Sequence, residues 1–287
     1  MEECHVNPAK SEENIYRCTP RGQLALSGGP VPVFSNRDQY VENYERISAD
    51  HVAHMQTTGC NPFIPEPLWT ESERLTADQL RRYGRKGSRV LDVGCGLGRL
   101  LTQFPEFLRY GMDISSGYLE YAQRAGIDVC LSRIEDMPYT DGLFDLVICT
   151  DVLEHVFDLH AACTQLIRVV RNDGLLVVRV PYRENLACYL APSLPYEFVH
   201  VRNFDEDSLI LLFEKIYRCK VIDMIKGPFL WPWVLPKCRL PLRGLGLIHR
   251  TVARLTRLAG QSVQKAFLEW AFDPPEINII VRVTKDL

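Results

Sequence analysis

Apolar runs alternate with amphipathic stretches from residue 88 to the end of the chain. Seven short runs rich in Val, Ile, Leu and Cys predict strands: SRVLDVG, RYGMD, IDVCLS, FDLVICT, LLVVRVP, KVIDMI and EINIIVRVT. Apolar residues at helical spacing predict helices in SSGYLEYAQRAG, DLHAACTQLIRVV and EDSLILLFEKI. Strands that alternate with helices are typical of a parallel sheet covered by helices on both faces. We therefore predict an α/β fold, a Rossmann-like doubly wound sheet of seven strands.

Two further helices are predicted ahead of this sheet. The stretch QYVENYERISADHV places Tyr40 and Tyr44 on one helical face, and ESERLTADQLRRY predicts the second helix. We divide the chain into an N-terminal extension over 1–35, a helical cap over 36–85 and a main domain over 86–287. The cap is expected to close over the mouth of the sheet.

Composition narrows the class of protein. With 287 residues, 46% of them apolar, the chain can bury a large core. The net charge of −3 argues against a nucleic-acid binder. The ten cysteines stand singly, without a C-x-x-C pair, and the first residues are polar and acidic rather than apolar. These features predict a cytoplasmic protein.

A glycine-rich loop, Gly94-Cys95-Gly96-Leu97-Gly98, follows the first of these strands. In open α/β sheets, ligands bind at the carboxyl ends of the strands. A dinucleotide site has the spacing G-x-G-x-x-G, whereas here the third glycine comes one residue early and Arg99 follows it. Asp92, just before the loop, suits an ammonium or sulfonium better than a pyrophosphate. A nicotinamide-dependent oxidoreductase is therefore kept only as an alternative.

Residues 90–99, VLDVGCGLGR, resemble the first motif of the class I S-adenosylmethionine (SAM)-dependent methyltransferases, with a methyltransferase type 11 pattern. The resemblance continues through RIEDMPYTDGLFDLVICTDVLEHV. It implies SAM as cofactor, S-adenosylhomocysteine as product, and an antiparallel last strand preceded by an insertion.

The resemblance also implies a set of SAM-binding residues. They are Tyr44, Asp92, Gly94, Cys95, Gly96, Gly98, Asp113, Ile114, Ile134, Glu135 and Thr150. Asp113 ends the second strand, where the family's ribose-binding carboxylate falls. Where many relatives have an acid for the adenine amino group, this chain has Arg133. Ile134 and Glu135 are therefore expected to hold adenine instead.

Asp151, Glu154 and His155 follow the fourth strand and are the first catalytic candidates. In a helix they would share one face, at positions i, i+3 and i+4. The segment is similar to the E-x-x-E-H of ubiquinone-pathway O-methyltransferases, whose matching residues bind a metal. Three roles stay open: His155 as a base supported by the two acids, a weak candidate site for a divalent metal, and a histidine that only stabilises the fold. His200, in YEFVHVRNF, is a further catalytic candidate.

A basic insertion is predicted over 227–270, before the last strand. No acid occurs between Met224 and Leu268, and Trp231 and Trp233 precede a basic amphipathic helix. Such a segment is typical of peripheral contact with an anionic membrane surface or of binding to an anionic substrate. An ordinary packed surface helix is the alternative. Near the start, the sequence resembles a decayed zinc ribbon that retains only Cys18 of its ligands.

The sequence therefore predicts a SAM-dependent methyltransferase that methylates a hydroxyl of a small molecule or of a glycan or lipid-linked intermediate. The alternative from another class, besides the oxidoreductase, is a catalytically silent SAM-fold partner protein.

Overall fold

The computed structural model describes residues 15–191, 194–228 and 274–285. Nine strands form one sheet. They are β1 (Gly22–Leu26), β2 (Gly29–Val33), β3 (Arg89–Val93), β4 (Leu108–Asp113), β5 (Asp128–Leu131), β6 (Phe144–Thr150), β7 (Val170–Pro181), β8 (Lys220–Gly227) and β9 (Glu276–Arg282). The helices are α1 (Gln39–Thr58), α2 (Glu66–Tyr83), α3 (Arg99–Thr102), α4 (Ser116–Arg124), α5 (Leu159–Val169) and α6 (Glu206–Ile210). A 3₁₀ helix spans Leu186–Leu190, and a π-helical segment, Leu211–Ile216, continues α6.

The strand order is β1-β2-β5-β4-β3-β6-β7-β9-β8. Within β3 to β7, all neighbouring strands pair in parallel. Strand β9 is antiparallel to both β7 and β8. This confirms the predicted doubly wound α/β fold and its antiparallel last strand. Strands β4 and β6 flank β3, so the chain order reverses beside β3 and opens a crevice at the carboxyl ends of these strands.

The sheet has nine strands instead of the predicted seven because an N-terminal hairpin joins its edge. β1 and β2 pair antiparallel, and β2 meets β5 in parallel at Val33 and Leu131. The hairpin lies within the predicted extension over 1–35. Pro30 and Pro32 interrupt the strand pattern of β2, and proline in a strand is typical of sheet edges. The sequence pattern alone therefore gave no strand signal here.

Two apolar clusters cover the two faces of the sheet. Successive residues of β3 alternate between them, since Leu91 belongs to one cluster and Val90 to the other. Helix α2 is fixed on β9 by a buried hydrogen bond of 2.9 Å from the Thr76 hydroxyl to the Asn278 amide oxygen. The core therefore lies on both faces, as expected for central parallel strands.

Side-chain caps define where the helices that border the site begin. The Asp38 carboxylate accepts a 2.9 Å hydrogen bond from the Val41 amide at the start of α1, and Gly59 ends this helix with φ of 74°. Asp158 caps α5 in the same way through the Ala161 amide. Such caps satisfy amides that would otherwise lack partners.

Among the described residues, no helix is long and apolar enough to cross a membrane. Nearly all of the predicted basic insertion over 227–270, with Trp231 and Trp233, lies outside the described residues.

We expect Leu166→Ala to lower the free energy of unfolding by about 2–5 kcal/mol, because it opens a cavity in the core. The Leu166 side chain, on α5, is 0% exposed. Leu108→Ala is the matched control, because Leu108 is 51% exposed, and a change within about 0.5 kcal/mol is expected there. Urea unfolding measures both values. Equal costs for the two variants would contradict the described core.

Candidate active site

A cavity of about 820 Å³ opens at the carboxyl ends of the parallel strands, beneath α1 and α2. All but one of the predicted site residues line it. They are Tyr44, Asp92, Gly94, Cys95, Gly96, Asp113, Ile114, Ile134, Glu135, Thr150, Asp151, Glu154, His155 and His200. The cavity therefore gathers residues from four strand ends, from the cap and from the segment before α6.

The glycine loop shapes one wall of the cavity. Gly94 and Gly96 have positive φ angles of 71° and 51°. A Cβ on Gly94 would lie 2.4 Å from Val152 Cγ2, whereas no heavy atom lies within 4 Å of a Cβ built on Gly96. Gly94 is therefore required by packing and backbone angle, and Gly96 leaves room for a ligand close to the backbone.

Gly98 is the one predicted cofactor residue that does not line the cavity. A Cβ there would lie 2.7 Å from Ile127 Cδ1 and close to Ala122. Its φ of 75° adds a second reason for glycine. Gly98 thus serves the packing of α3 against α4.

Asp113 is buried at the end of β4 and is held by backbone amides. Its two carboxyl oxygens accept hydrogen bonds from the amides of Gly96 (2.9 Å) and Ser115 (3.0 Å). Burial raises the pKa of Asp113 to about 6, and these backbone donors limit the rise. Asp113 is therefore largely ionised at neutral pH, with lone pairs left for further donors.

Asp92 is buried just before the glycine loop. Its Oδ1 has no hydrogen-bond partner among the described residues. Burial raises the pKa of Asp92 to about 8. The neighbouring acids Asp113, Glu73 and Asp151 add to this rise, and the Arg179 guanidinium opposes it. An unpaired buried carboxyl oxygen is costly unless a ligand supplies a donor or a positive charge.

Arg179 is the buried cation of this region, and sequence reasoning missed it. Its guanidinium donates to both carboxyl oxygens of Asp151 and lies 3.5 Å from Glu276. Burial alone would lower the pKa of Arg179, but these carboxylates raise it. The available signal was a charged residue within the apolar run LLVVRVP. Charged residues in buried strands require partners.

The segment after β6 is not the helix that the sequence suggested. Residues 151–155 form a bend and a turn, and Asp151 has a positive φ of 57°. This conformation directs the Asp151 carboxylate to Arg179. Asp151, Glu154 and His155 therefore do not share a helical face, and the Asp151 carboxylate pairs with Arg179.

His155 is partly buried and held through its Nδ1. This nitrogen lies 3.0 Å from the Tyr44 hydroxyl and 3.3 Å from the Val199 carbonyl oxygen. Burial lowers the pKa of His155 to about 4, and nearby His200 adds to the shift. The imidazole is therefore neutral at pH 7. Its Nε2 lies 3.9 Å from Glu154 Oε1.

His200 faces His155 edge-on, with ring centroids 4.5 Å apart. Its Nδ1 lies 2.5 Å from Glu184 Oε2 and 3.1 Å from the Tyr189 hydroxyl. Sequence reasoning selected His200 but missed Glu184 and Tyr189, because no local pattern links residues on separate loops.

An aromatic wall completes the cavity, and it also escaped the sequence analysis. It contains Phe63, Trp69, Tyr118 and Tyr196. The Arg99 guanidinium lies 3.5 Å from the centroid of the Trp69 ring and 3.2 Å from a Glu73 carboxylate oxygen. Arg99 therefore belongs to the wall, as a cation stacked on an aromatic face.

Arg133 stands where many relatives have an adenine-binding acid, and its guanidinium is already paired with an acid of the cap. The guanidinium lies 2.6 Å from Asp38 and 4.8 Å from the centroid of the Tyr40 ring. Ile114, Ile134 and Glu135 line the cavity nearby. This arrangement leaves an apolar slot with one carboxylate at its edge.

Residues 91–178 match a family model described as a methyltransferase domain. The chain therefore contains a methyltransferase domain, with the fold of the class I SAM-dependent methyltransferases. An uncharacterised protein of Methanocaldococcus jannaschii is 35% identical over 102 residues, which are 36% of this chain and 44% of that protein. The ubiquinone biosynthesis O-methyltransferase of Rickettsia conorii is 25% identical over 202 residues, which are 68% of this chain and 65% of that protein. The chain spans about half the length of the first curated relatives it matches.

Solved structures of this fold class are also similar. A SAM-dependent methyltransferase of Thermotoga maritima superposes with a TM-score of 0.55 at 16% identity, over 85% of this chain and 100% of that one. The [4+2]-cyclase SpnF superposes with a TM-score of 0.58 at 15% identity, over 88% of this chain and 98% of that one. These similarities show the fold, and the activity has to be argued from the site.

Asp92 is expected to make stability fall with rising pH. In the unfolded chain its carboxyl titrates near pH 4, whereas in the folded chain its pKa is about 8. The folded state therefore holds the extra proton, and the free energy of unfolding decreases as pH rises between these values. Between pH 6.5 and 8.0, the free energy of unfolding of the parent should fall by about 1–2 kcal/mol more than that of Asp92→Asn.

Urea unfolding of the cofactor-free protein at both pH values measures the effect. Glu154, whose pKa burial also raises, adds a decrease of the same sign that persists in the variant. A pH dependence identical in parent and variant would contradict the assignment to Asp92.

Proposed function

We propose that the protein transfers a methyl group from SAM to a hydroxyl of a small-molecule acceptor. The observation that carries this proposal is the buried Asp92 carboxyl just before the glycine loop, whose Oδ1 has no hydrogen-bond partner in the described part of the chain. Three further carboxyls, of Glu73, Asp113 and Asp151, raise the pKa of Asp92 further, and the Arg179 guanidinium opposes this rise. Such a site favours a positively charged ligand over a pyrophosphate.

The residues of the cavity fit the parts of SAM. When bound, SAM supplies a methyl group on a positively charged sulfur, together with an ammonium group. The Asp113 carboxylate can accept hydrogen bonds from two ribose hydroxyls, each of them charge-assisted. Gly96 gives room near the backbone, and Ile114 and Ile134 offer an apolar slot to adenine. Asp92 would face the ammonium.

The acceptor side of the cavity is proposed to be the part lined by His155, His200 and Glu184. Holding the nucleophile in line with the methyl group can contribute up to about 7–11 kcal/mol, so positioning comes first. With its pKa lowered to about 4, His155 is a weak proton acceptor at neutral pH. We therefore assign it to orienting the hydroxyl rather than to removing the proton.

The acceptor class is proposed from the names of the curated relatives and from the predicted basic insertion. The curated relatives include O-methyltransferases, among them the ubiquinone biosynthesis enzyme and a malonyl-[acyl-carrier protein] O-methyltransferase of Legionella pneumophila. A glycan or lipid-linked acceptor met at an anionic membrane surface rests on the predicted basic insertion over 227–270.

Transfer of radiolabelled methyl from SAM into an extract of the source cells, followed by organic–aqueous partition, tests the proposal. We expect labelled product with the parent protein and with the exposed control Leu108→Ala. Asp113→Ala should lower it roughly 10- to 100-fold at limiting SAM, because charge-assisted hydrogen bonds to the ribose are lost.

Label in the organic phase would indicate a lipid or lipid-linked acceptor, and label in the aqueous phase a soluble metabolite or sugar. Weak or absent SAM binding, together with no transfer into either phase, would contradict methyl transfer and favour the silent partner protein.

A further inference from the structure

The acceptor side of the cavity contains a second buried carboxyl that lacks a hydrogen-bond partner within the described ranges. Glu154 is 1% exposed, and neither of its side-chain oxygens has a hydrogen-bond partner among the described residues. Burial raises the pKa of Glu154, and the Asp151 carboxylate adds to the shift. A buried carboxylate is normally paired with a cation or bound to a metal ion. Arg179, the nearby buried cation, is held by Asp151.

Two histidines present their free ring nitrogens to this carboxyl. His155 Nδ1 contacts the Val199 carbonyl oxygen and the Tyr44 hydroxyl, and His200 Nδ1 contacts the Glu184 carboxylate and the Tyr189 hydroxyl. Because a carbonyl or carboxylate oxygen can only accept, the tautomer protonated at Nδ1 is the one that satisfies these two oxygens. This leaves the Nε2 lone pair of each ring for a ligand. A histidine that donates Nδ1–H to a carbonyl or carboxylate is the usual arrangement around a bound metal.

We propose that Glu154, His155 and His200 bind one divalent transition-metal ion. One ligand atom from each residue lies within 4.8 Å of the other two. Bonds of about 2.0–2.2 Å require the ligand atoms to be closer together than this, so the side chains would have to close by roughly 1 Å on binding. The Glu184 carboxylate orients His200 through its contact with Nδ1, the ring nitrogen that does not face the ion.

This ligand set differs from the one suggested by the sequence. Asp151 is not a ligand, because it lies in a bend and pairs with Arg179. His200, on a separate loop, is the third ligand instead. Two imidazole nitrogens and one carboxylate favour first-row transition metals such as manganese, iron, cobalt or zinc. Magnesium prefers a shell of oxygen ligands.

The two loops that supply the ligands are hydrogen-bonded to each other, which fixes their backbones before any ion binds. The Val201 amide donates to the Glu154 carbonyl oxygen at 2.9 Å, and the Arg202 guanidinium donates to the Leu153 carbonyl oxygen at 2.8 Å. The buried Asn43 side chain of α1 donates to the Phe198 carbonyl oxygen at 2.8 Å. Ligands held on rigid, cross-linked segments are what a metal site requires.

An ion in this position would hold and polarise the acceptor hydroxyl in place of the metal-free His155 imidazole, and it would favour loss of the hydroxyl proton to solvent. That consequence rests on the proposed methyl transfer. Binding of the ion does not, so the two proposals can fail separately.

Titration of the chelator-treated, full-length protein with Mn²⁺, followed by electron paramagnetic resonance of the free ion, tests the site. Mn²⁺ is the probe because soft cysteine thiols compete poorly for it. We expect one bound Mn²⁺ per chain. Glu154→Gln and His200→Gln should weaken binding at least about tenfold, and Glu184→Gln roughly 10- to 100-fold, because the orientation of His200 is lost.

Two controls keep the test specific. His54→Gln should leave Mn²⁺ affinity unchanged, because His54 is exposed on α1. Thermal unfolding shows whether each variant folds, and Mn²⁺ should raise the midpoint of the parent but not of Glu154→Gln.

Absence of stoichiometric binding in the parent would overturn the proposal. So would binding that is lost in Asp151→Asn and kept in His200→Gln, because the ligands would then be the set suggested by the sequence. Equal affinity in all variants would place the ion elsewhere and would also overturn it.

Discussion

An excess of buried carboxyl groups over buried cations at the carboxyl ends of the sheet is the constraint on which the rest of this structure depends. Asp92, Asp113 and Glu154 all have raised pKa values because burial disfavours their charged forms. Arg179 compensates only part of this charge, through Asp151 and Glu276. Such an arrangement costs folding free energy, and a positively charged ligand offsets that cost when it binds.

The buried carboxyls of the cavity fall into two groups, whose neighbouring residues differ. Around Asp92 and Asp113 the donors are backbone amides and the wall is a glycine loop, which suits a cofactor with hydroxyls and an ammonium. Around Glu154 the neighbours are imidazoles with free nitrogens, which suit a metal ion. The Asp151 carboxylate belongs to neither group, because the positive φ of this residue directs it to Arg179.

The parts that the sequence predicted correctly are those encoded locally. Central strands such as β3 and β6 are continuous apolar runs, and the position of Asp113 follows from the end of β4. The turn after β6 was missed because its helical spacing is overridden by the ion pair of Asp151 with Arg179, 28 residues apart in the chain. The pairing of His155 with His200 depends on hydrogen bonds between distant loops, which no periodicity encodes.

The most direct test of the acid-rich pocket compares SAM with 5′-methylthioadenosine, which keeps the adenosine and the sulfur but lacks the sulfonium and ammonium charges. Calorimetric titration of both ligands into the parent protein and Asp92→Asn gives the ratio of affinities. SAM should bind far more tightly to the parent, and Asp92→Asn should reduce the ratio roughly tenfold or more, as expected for a lost charge-assisted contact. A ratio unchanged by Asp92→Asn would contradict the account.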